Sequence, residues 1–449
     1  MLSHFCNIAL TVALFFGQSV MAHAMGPGAA EVWVDAAAEG YAGALEPLKK
    51  AAERHEPEAL YRLGTLVFEG KLLRRDLDQA ADLLKRAADK GHAPAQSAYG
   101  FMLQNGLGVV KDEREAILWY ERAAAAGDRE AQNNLGWLYQ EGRGVERSPD
   151  QAVSWYTKAA AAGSGVAAYH LARLYETGAS AAEHDQSKLA AALDWYQTAA
   201  QHGQATAQYK LGKALYEGKG IERRLAEGLV WIEKSAARGH PMARYLLASQ
   251  LAGENLETTD EPRAMRLAMA AARQGLPCAE RLVASFFEFG VGAAKDPGAA
   301  VRWYREAAQR GDGEAALRLA ILLDAGPREL RAPKEAATWY EQASNASWHY
   351  ADLRLGLLYQ TGSGVERNYE QARSRYQRAA DAGYPDALYR IAVLYDEGLG
   401  VEPDSRVALE WYARAAERGQ VDANRVIERL MKPSDRDGDA FNRLKFDKF

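Results

Sequence analysis

Small and apolar side chains return on a fixed beat along most of this 449-residue chain. An alanine anchors each beat, at Ala59, Ala95, Ala131, Ala167, Ala207, Ala243, Ala279, Ala315, Ala351 and Ala387. Four residues on, every segment carries Leu, Ile, Val or Tyr, and five on, Gly or Ala. Eight on comes another apolar side chain, such as Val67, Tyr139, Phe287 or Tyr395. Apolar positions at i, i+4 and i+8 make one buried stripe along a helix. The small neighbour lets a second helix approach closely.

Eleven positions after the anchor, nine of the ten segments have glycine, for example Gly70, Gly142, Gly218 and Gly398. Glycine there predicts the left-handed residue that ends a helix. A second apolar pattern follows and carries Trp119-Tyr120, Trp155-Tyr156, Trp195-Tyr196, Trp303-Tyr304, Trp339-Tyr340 and Trp411-Tyr412. It runs into a pair of small residues, mostly Ala-Ala, and closes at Gly91, Gly127, Gly163 or an equivalent. These pairs begin at 51, 87, 123, 159, 199, 235, 271, 307, 343, 379 and 415, which gives nine intervals of 36 residues and one of 40. A fixed period of ~20–50 residues marks stacked supersecondary units. Each unit reads as a helix, a glycine loop and an antiparallel helix. No such pair covers its own apolar faces, so neighbours must stack.

Lines such as GHAPAQSAYGFMLQNGLGVVKDEREAILWYERAA (91–124) resemble Sel1-like repeats, a branch of the tetratricopeptide superfamily. The resemblance runs over about residues 50–420. It implies an all-α, right-handed α-solenoid of about ten 36-residue helix-turn-helix repeats, with the first helix of each repeat lining the inner curve. It also implies an adaptor that assembles protein complexes, as in exported bacterial proteins of signalling, envelope assembly or host contact.

Three repeats depart from the pattern. The fourth has a four-residue insertion in TGASAAEHDQSK (177–188), which predicts a longer surface loop. In the sixth, GENLETTDEP (253–262) replaces the Gly-x-Gly loop and Leu267-Ala268 replaces Trp-Tyr. Less buried aromatic area predicts a weaker repeat and a bend there. The eighth has AGPRELRAP (325–333), a loop stiffened by two prolines.

Outside the array, residues 1–24 contain an apolar run from Ile8 to Phe16 and a small-x-small site, Ala22-His23-Ala24. This fits a secretory signal, although no Lys or Arg precedes the run. An uncleaved, membrane-anchored leader is the alternative. After cleavage no integral membrane segment remains, and Cys278 is the only cysteine, which excludes an internal disulfide framework. Residues 25–50 read as N-terminal capping helices, with EVWVDAAAE (31–39) and ALEPLKKAAE (44–53) helical and Trp33 as an anchor. The solenoid occupies 51–414, a C-terminal capping helix 415–432, within which VDANRVIERLMK (421–432) covers the open end, and a flexible tail 433–449. Terminal caps keep such arrays soluble.

Composition adds exclusions. Charged residues make up 26% and the net charge is −5, so no basic stripe announces nucleic acid. There is no phosphate-binding loop, nucleophile elbow, His-Glu-x-x-His or Cys-x-x-Cys, and no cofactor is implied. The Gly-x-Gly pairs, such as Gly106/Gly108 and Gly142/Gly144, follow helices rather than strands and read as turns. His92 and His240 stand where Asp128 and Asp312 stand in other repeats, a helix N-cap position. Asp435, Asp437 and Asp439 have calcium-loop spacing, but Ala440 and Phe446 occupy the places of the required Gly and Glu. Catalytic and metal sites are therefore not expected.

What remains is the first-helix face, at offsets +2, +3, +6, +9 and +10 from the anchor. Offset +2 gives Tyr61, Tyr169, Tyr209, Tyr245 and Tyr389, and offset +3 gives Arg62, His170, Lys210, Arg318, Arg354 and Arg390. Offset +9 brings Glu176, Glu288, Asp324 and Asp396, and offset +10 brings Glu69, Glu141, Glu217 and Glu397. Tyrosine and arginine are enriched where partners dock. Against this, the tyrosines could pack across the seam between repeats and the charged ladders could pair with each other. The sequence thus supports a non-enzymatic scaffold of the bacterial cell envelope, exported to the periplasm, that holds a protein partner along its groove. Partner classes are a sensor kinase, a cell-wall enzyme or a component of secretion or polysaccharide-export machinery. The alternatives are a cell-wall-active enzyme (a peptidoglycan hydrolase or β-lactam-interacting protein) and a secreted host-contact factor.

Overall fold

A computed structural model describes residues 43, 45–70, 72–181, 186–253 and 260–430. The proposed leader, the 31–39 segment with Trp33, the spaced aspartates and the tail lie outside these residues. The described part contains 22 helices and no strand. The described residues fall into two compact units, divided between Gly228 and Leu229.

In the first unit, α1 (Leu45–Glu53) precedes the array. The repeats then pair α2 (Pro57–Glu69) with α3 (Leu77–Ala88), α4 (Ala93–Asn105) with α5 (Glu113–Ala125), and α6 (Arg129–Glu141) with α7 (Pro149–Ala161). The fourth pairs α8 (Gly165–Ala181) with α9 (Gln186–Gln201), and α10 (Ala205–Glu217) opens the fifth. The boundary between units falls inside α11 (Leu225–Ala237). The second unit continues with α12 (Pro241–Leu251), α13 (Glu261–Ala272), α14 (Pro277–Phe289), α15 (Pro297–Gln309), α16 (Gly313–Ala325) and α17 (Pro333–Asn345). It ends with α18 (Tyr350–Thr361), α19 (Tyr369–Asp381), α20 (Pro385–Glu397), α21 (Ser405–Glu417) and the cap α22 (Val421–Leu430).

Local chemistry sets the ends of these helices. Second helices start on short acceptors: Asp76 accepts from the Gln79 amide and Asn368 from that of Gln371. First helices use the same device, and the Nδ1 of His92 and of His240 accepts from Ala95 and Ala243, as their repeat position predicts. First helices end on left-handed glycine in most repeats, with φ 70° at Gly142. Two glycines differ from that expectation. Gly178 lies inside α8, because the insertion lengthens α8 and α9 to 17 and 16 residues and not, as expected, the stretch between them. Gly326 is extended (φ −74°, ψ −163°), as the chain enters Pro327 and a 3-10 turn at Arg328–Leu330.

The second glycine of each Gly-x-Gly loop has a packing role. A Cβ on Gly108 would stand 2.1 Å from the carbonyl oxygen of Leu77, at the start of the preceding repeat's second helix. Only glycine lets the loop sit on that helix end. These pairs bind the neighbouring repeat.

Inside seven of the ten repeats the small position faces a tyrosine of the second helix. A Cβ on Gly100 would lie 3.0 Å from the Tyr120 ring, and one on Gly136 2.6 Å from that of Tyr156. Tyr120, Tyr156, Tyr304, Tyr340, Tyr376 and Tyr412 are among the largest fully buried side chains. Burying a ring of this size is worth about 1.5–3 kcal/mol. In the sixth repeat Ala268 takes the tyrosine's place, so less aromatic surface is covered there.

Candidate protein-docking face

The offset +1 side chain fastens one repeat to the last. The amides of Gln96, Gln132 and Gln208 donate to the carbonyls of Ala88, Ala124 and Ala200, each at the end of the preceding second helix. Offset +2 lies beside this seam. Ser97, Tyr209, Leu317 and Leu353 are buried there, while Tyr61, Tyr169, Tyr245 and Tyr389 are half-buried. Of the two placements the spacing allows for the +2 tyrosines, docking face or seam, Tyr209 takes the seam and is buried between neighbouring helices. Three of the others make ring contacts: Tyr61 with His92 at 5.0 Å, Tyr169 with Tyr196 at 6.0 Å, and Tyr389 with Tyr412 at 5.3 Å. Burial pushes the Tyr245 hydroxyl's pKa up beside Cys278 and Arg281.

Offset +9 is an acceptor position for the buried tyrosines. Tyr120 donates to Gln104 (2.8 Å), Tyr156 to Gln140 (3.2 Å) and Tyr376 to Gln360 (2.6 Å). Tyr196 donates to Glu176 (2.6 Å), Tyr304 to Glu288 (2.7 Å), Tyr340 to Asp324 (3.1 Å) and Tyr412 to Asp396 (3.4 Å). Glu176 and Glu288 are therefore bonded within their own repeats.

The basic +3 ladder meets these acids from the next repeat. Lys210 lies 3.0 Å from Glu176, and Arg354 hydrogen-bonds Asp324. Arg318 acts electrostatically on Tyr304, and Arg390 on Tyr376. Arg62 instead pairs within its helix with Glu58 at 2.8 Å, and His92 reaches the other oxygen of that carboxylate at 2.7 Å. The +10 glutamates, Glu69, Glu141, Glu217 and Glu397, are exposed.

The apolar spacing also leaves offset +6 off the buried stripe. In five of the ten repeats it carries an apolar side chain, Phe101, Trp137, Ile321, Leu357 or Val393, all at least partly exposed, with Phe101 at 43%, and in the other five Thr65, Arg173, Lys213, Ser249 or Ser285. Apolar side chains at a position that water reaches were the available signal. In the first unit a pocket of ≈ 420 Å³ opens across α2, α4 and α6, lined by Tyr61, Phe68 and Phe101 among others. Among the described residues, no group of three or more His, Cys, Asp or Glu is arranged to hold a metal, and no helix is long and apolar enough to cross a membrane.

The Sel1 repeat family model matches residues 57–92, 93–128, 129–164, 165–204, 205–240, 241–276, 279–312, 313–347, 349–384 and 385–420. Among solved structures the chain is similar to c5321, a protective antigen present in uropathogenic Escherichia coli strains and displaying an SLR fold. The two are 29% identical over 86% of this chain and 91% of that one, with a TM-score of 0.60. It is also similar to a Sel1 repeat protein from Oxalobacter formigenes, at 30% identity over 55% of this chain and 99% of that one, with a TM-score of 0.50. No protein of curated function matches. Consecutive matches over most of the sequence, on stacked helix pairs without a strand among the described residues, settle the family: the chain belongs to the Sel1 repeat proteins, all-α solenoids whose repeats are in general protein–protein interaction modules.

Proposed function

We propose that this chain is an exported, non-enzymatic scaffold whose first-helix face holds a protein partner in the bacterial cell envelope. The observation that carries this reading is at offset +6 in the first unit: Phe101 is exposed and lines a pocket of ≈ 420 Å³, and Trp137, at the same offset in the next repeat, is partly exposed. Exposed aromatics bordered by polar side chains mark interaction sites. The ion pairs at offsets +3 and +9 hold neighbouring repeats in register, so their part in docking is to position that surface. The leader-like residues 1–24 support export to the periplasm. A sensor kinase, a cell-wall enzyme or export machinery are the partner classes that fit this location.

Affinity capture from the envelope fraction tests the reading, with the wild type and a Phe101→Ser/Trp137→Ser variant as baits. A partner retained by the wild type and lost by the folded variant is expected. Equal capture by both removes this face from the account. Fractionation that leaves the chain in the cytoplasm contradicts its exported role.

A further inference from the structure

The pocket across α2, α4 and α6 has an apolar floor and an acidic border. Tyr61, Phe68 and Phe101 supply aromatic surface, while every charged residue lining it is a carboxylate: Glu69, Asp128 and Glu130. Of the nearby cations, Arg75 stands over the Phe68 ring, 5.7 Å from its centroid, and three others are engaged with carboxylates. Arg62 and His92 both bond Glu58, and Arg129 stands 3.8 Å from Glu130. An anionic segment would thus meet like charge, whereas Lys or Arg would meet opposite charge beside the apolar floor.

We infer that this pocket takes a linear protein segment with one or two large apolar side chains flanked by Lys or Arg. The inference rests on the docking reading above and specifies the chemistry of its partner. Three neighbouring helices at ~10 Å per step span about 20 Å, which an extended segment of about six residues covers at ~3.3 Å per residue. The apolar side chains occupy the surface between Phe68 and Phe101. The flanking cations face Glu69 on one border and Asp128 and Glu130 on the other. Asp128 keeps its capping bond to the Ala131 amide (2.7 Å) and contributes through its charge.

Fluorescence anisotropy on the full chain tests this with three labelled peptides. One is basic and apolar, Gly-Lys-Ala-Phe-Lys-Leu-Lys-Gly. The second replaces its lysines by glutamate, and the third replaces its Phe and Leu by serine. Saturable binding of the first is expected, with at least tenfold weaker binding of the other two and a loss of affinity as salt is raised. Glu69→Lys/Glu130→Lys alters two exposed side chains and is expected to weaken binding about tenfold. Phe101→Ser should remove it, and Leu118→Ser, on the exposed side of α5, should leave it unchanged. Failure of the basic peptide to bind, equal binding of the acidic one, or indifference to the double charge reversal would overturn the inference. If Phe101→Ser/Trp137→Ser still loses a captured partner in that event, the docking face survives and only the assigned chemistry falls.

Discussion

The hydroxyl of Tyr196 donates to a carboxylate oxygen of Glu176 at 2.6 Å, and Lys210 of the next repeat reaches the same carboxylate at 3.0 Å. A glutamate that reads as groove lining is thus the point where three helices are tied. Burial opposes its charge, yet the bonds from Tyr196 and Lys210 outweigh burial and hold the carboxyl below its ordinary range. A carboxyl lowered in the folded state adds stability above its unfolded pKa and loses it as pH falls through the folded value.

Removing the donor therefore tests the tie. Tyr196→Phe should cost about 1.5–3 kcal/mol near neutral pH, because its acceptor is charged, and Tyr156→Phe, whose acceptor is the neutral Gln140, about 0.5–1.5 kcal/mol. The difference between the two variants should shrink as pH falls below the carboxylate range. Denaturant midpoints measured from pH 3 to 7 check both statements.

A second pH effect has the opposite sign. Glu280 is only 2% exposed and stands where Gln96, Gln132 and Gln208 donate to a carbonyl. One of its oxygens, Oε2, has no hydrogen-bond partner, while Oε1 lies 3.0 Å from Arg310. Burial pushes its carboxyl up, Arg310 opposes this, and Glu306 adds to it. A carboxyl raised in the folded state favours folding below its unfolded pKa and loses that contribution as pH rises through the folded value. Glu280→Gln supplies the missing donor and should raise stability by about 1 kcal/mol at pH 8, with the gain fading towards pH 4. Thermal melts across that range would show it; a loss of stability at pH 8 would mean the Arg310 pair matters more than the unpaired oxygen.

Close approach at the small position gives a steric test. A Cβ on Gly356 would stand 2.4 Å from the Tyr376 ring. Other repeats place alanine there opposite a tyrosine, as Ala320 does with Tyr340. The seam can therefore open slightly, and Gly356→Ala should cost about 1–2 kcal/mol, towards the low end for overpacking. An unchanged denaturant midpoint would show that the helices have slack.

Much of this was legible in the chain itself. The 36-residue beat and the left-handed glycines follow from apolar spacing and helix termination, which are local. The histidine caps were readable because His92 aligns with Asp128 within one sequence. The tyrosine–acceptor pairs were also on view: repeats with tyrosine on the second helix have Gln, Glu or Asp at offset +9. Where Leu84, Ile232 or Ala268 replaces tyrosine, offset +9 is Phe68, Tyr216 or Ala252. That covariation spans 16 to 20 residues and becomes meaningful only once the two helices are known to face each other. At offset +2 the spacing leaves docking and seam packing both open for Tyr209, because a single-helix wheel contains no neighbouring repeat. In the fourth repeat TGASAAEHDQSK predicts a loop because Gly178 stands where other first helices end, yet nothing else in it up to Ala181 breaks a helix and α8 runs through the glycine.

The central claim is that the first-helix face, and not the second, meets the partner. Photo-crosslinking in the native host tests it most directly, with benzoylphenylalanine placed at Phe101 on α4 or at Leu118 on α5. Both sites are exposed, at 43% and 54%, so reactivity alone does not separate them. A discrete protein adduct at position 101 and none at 118 is the predicted result; an adduct at 118 with none at 101 would contradict the account.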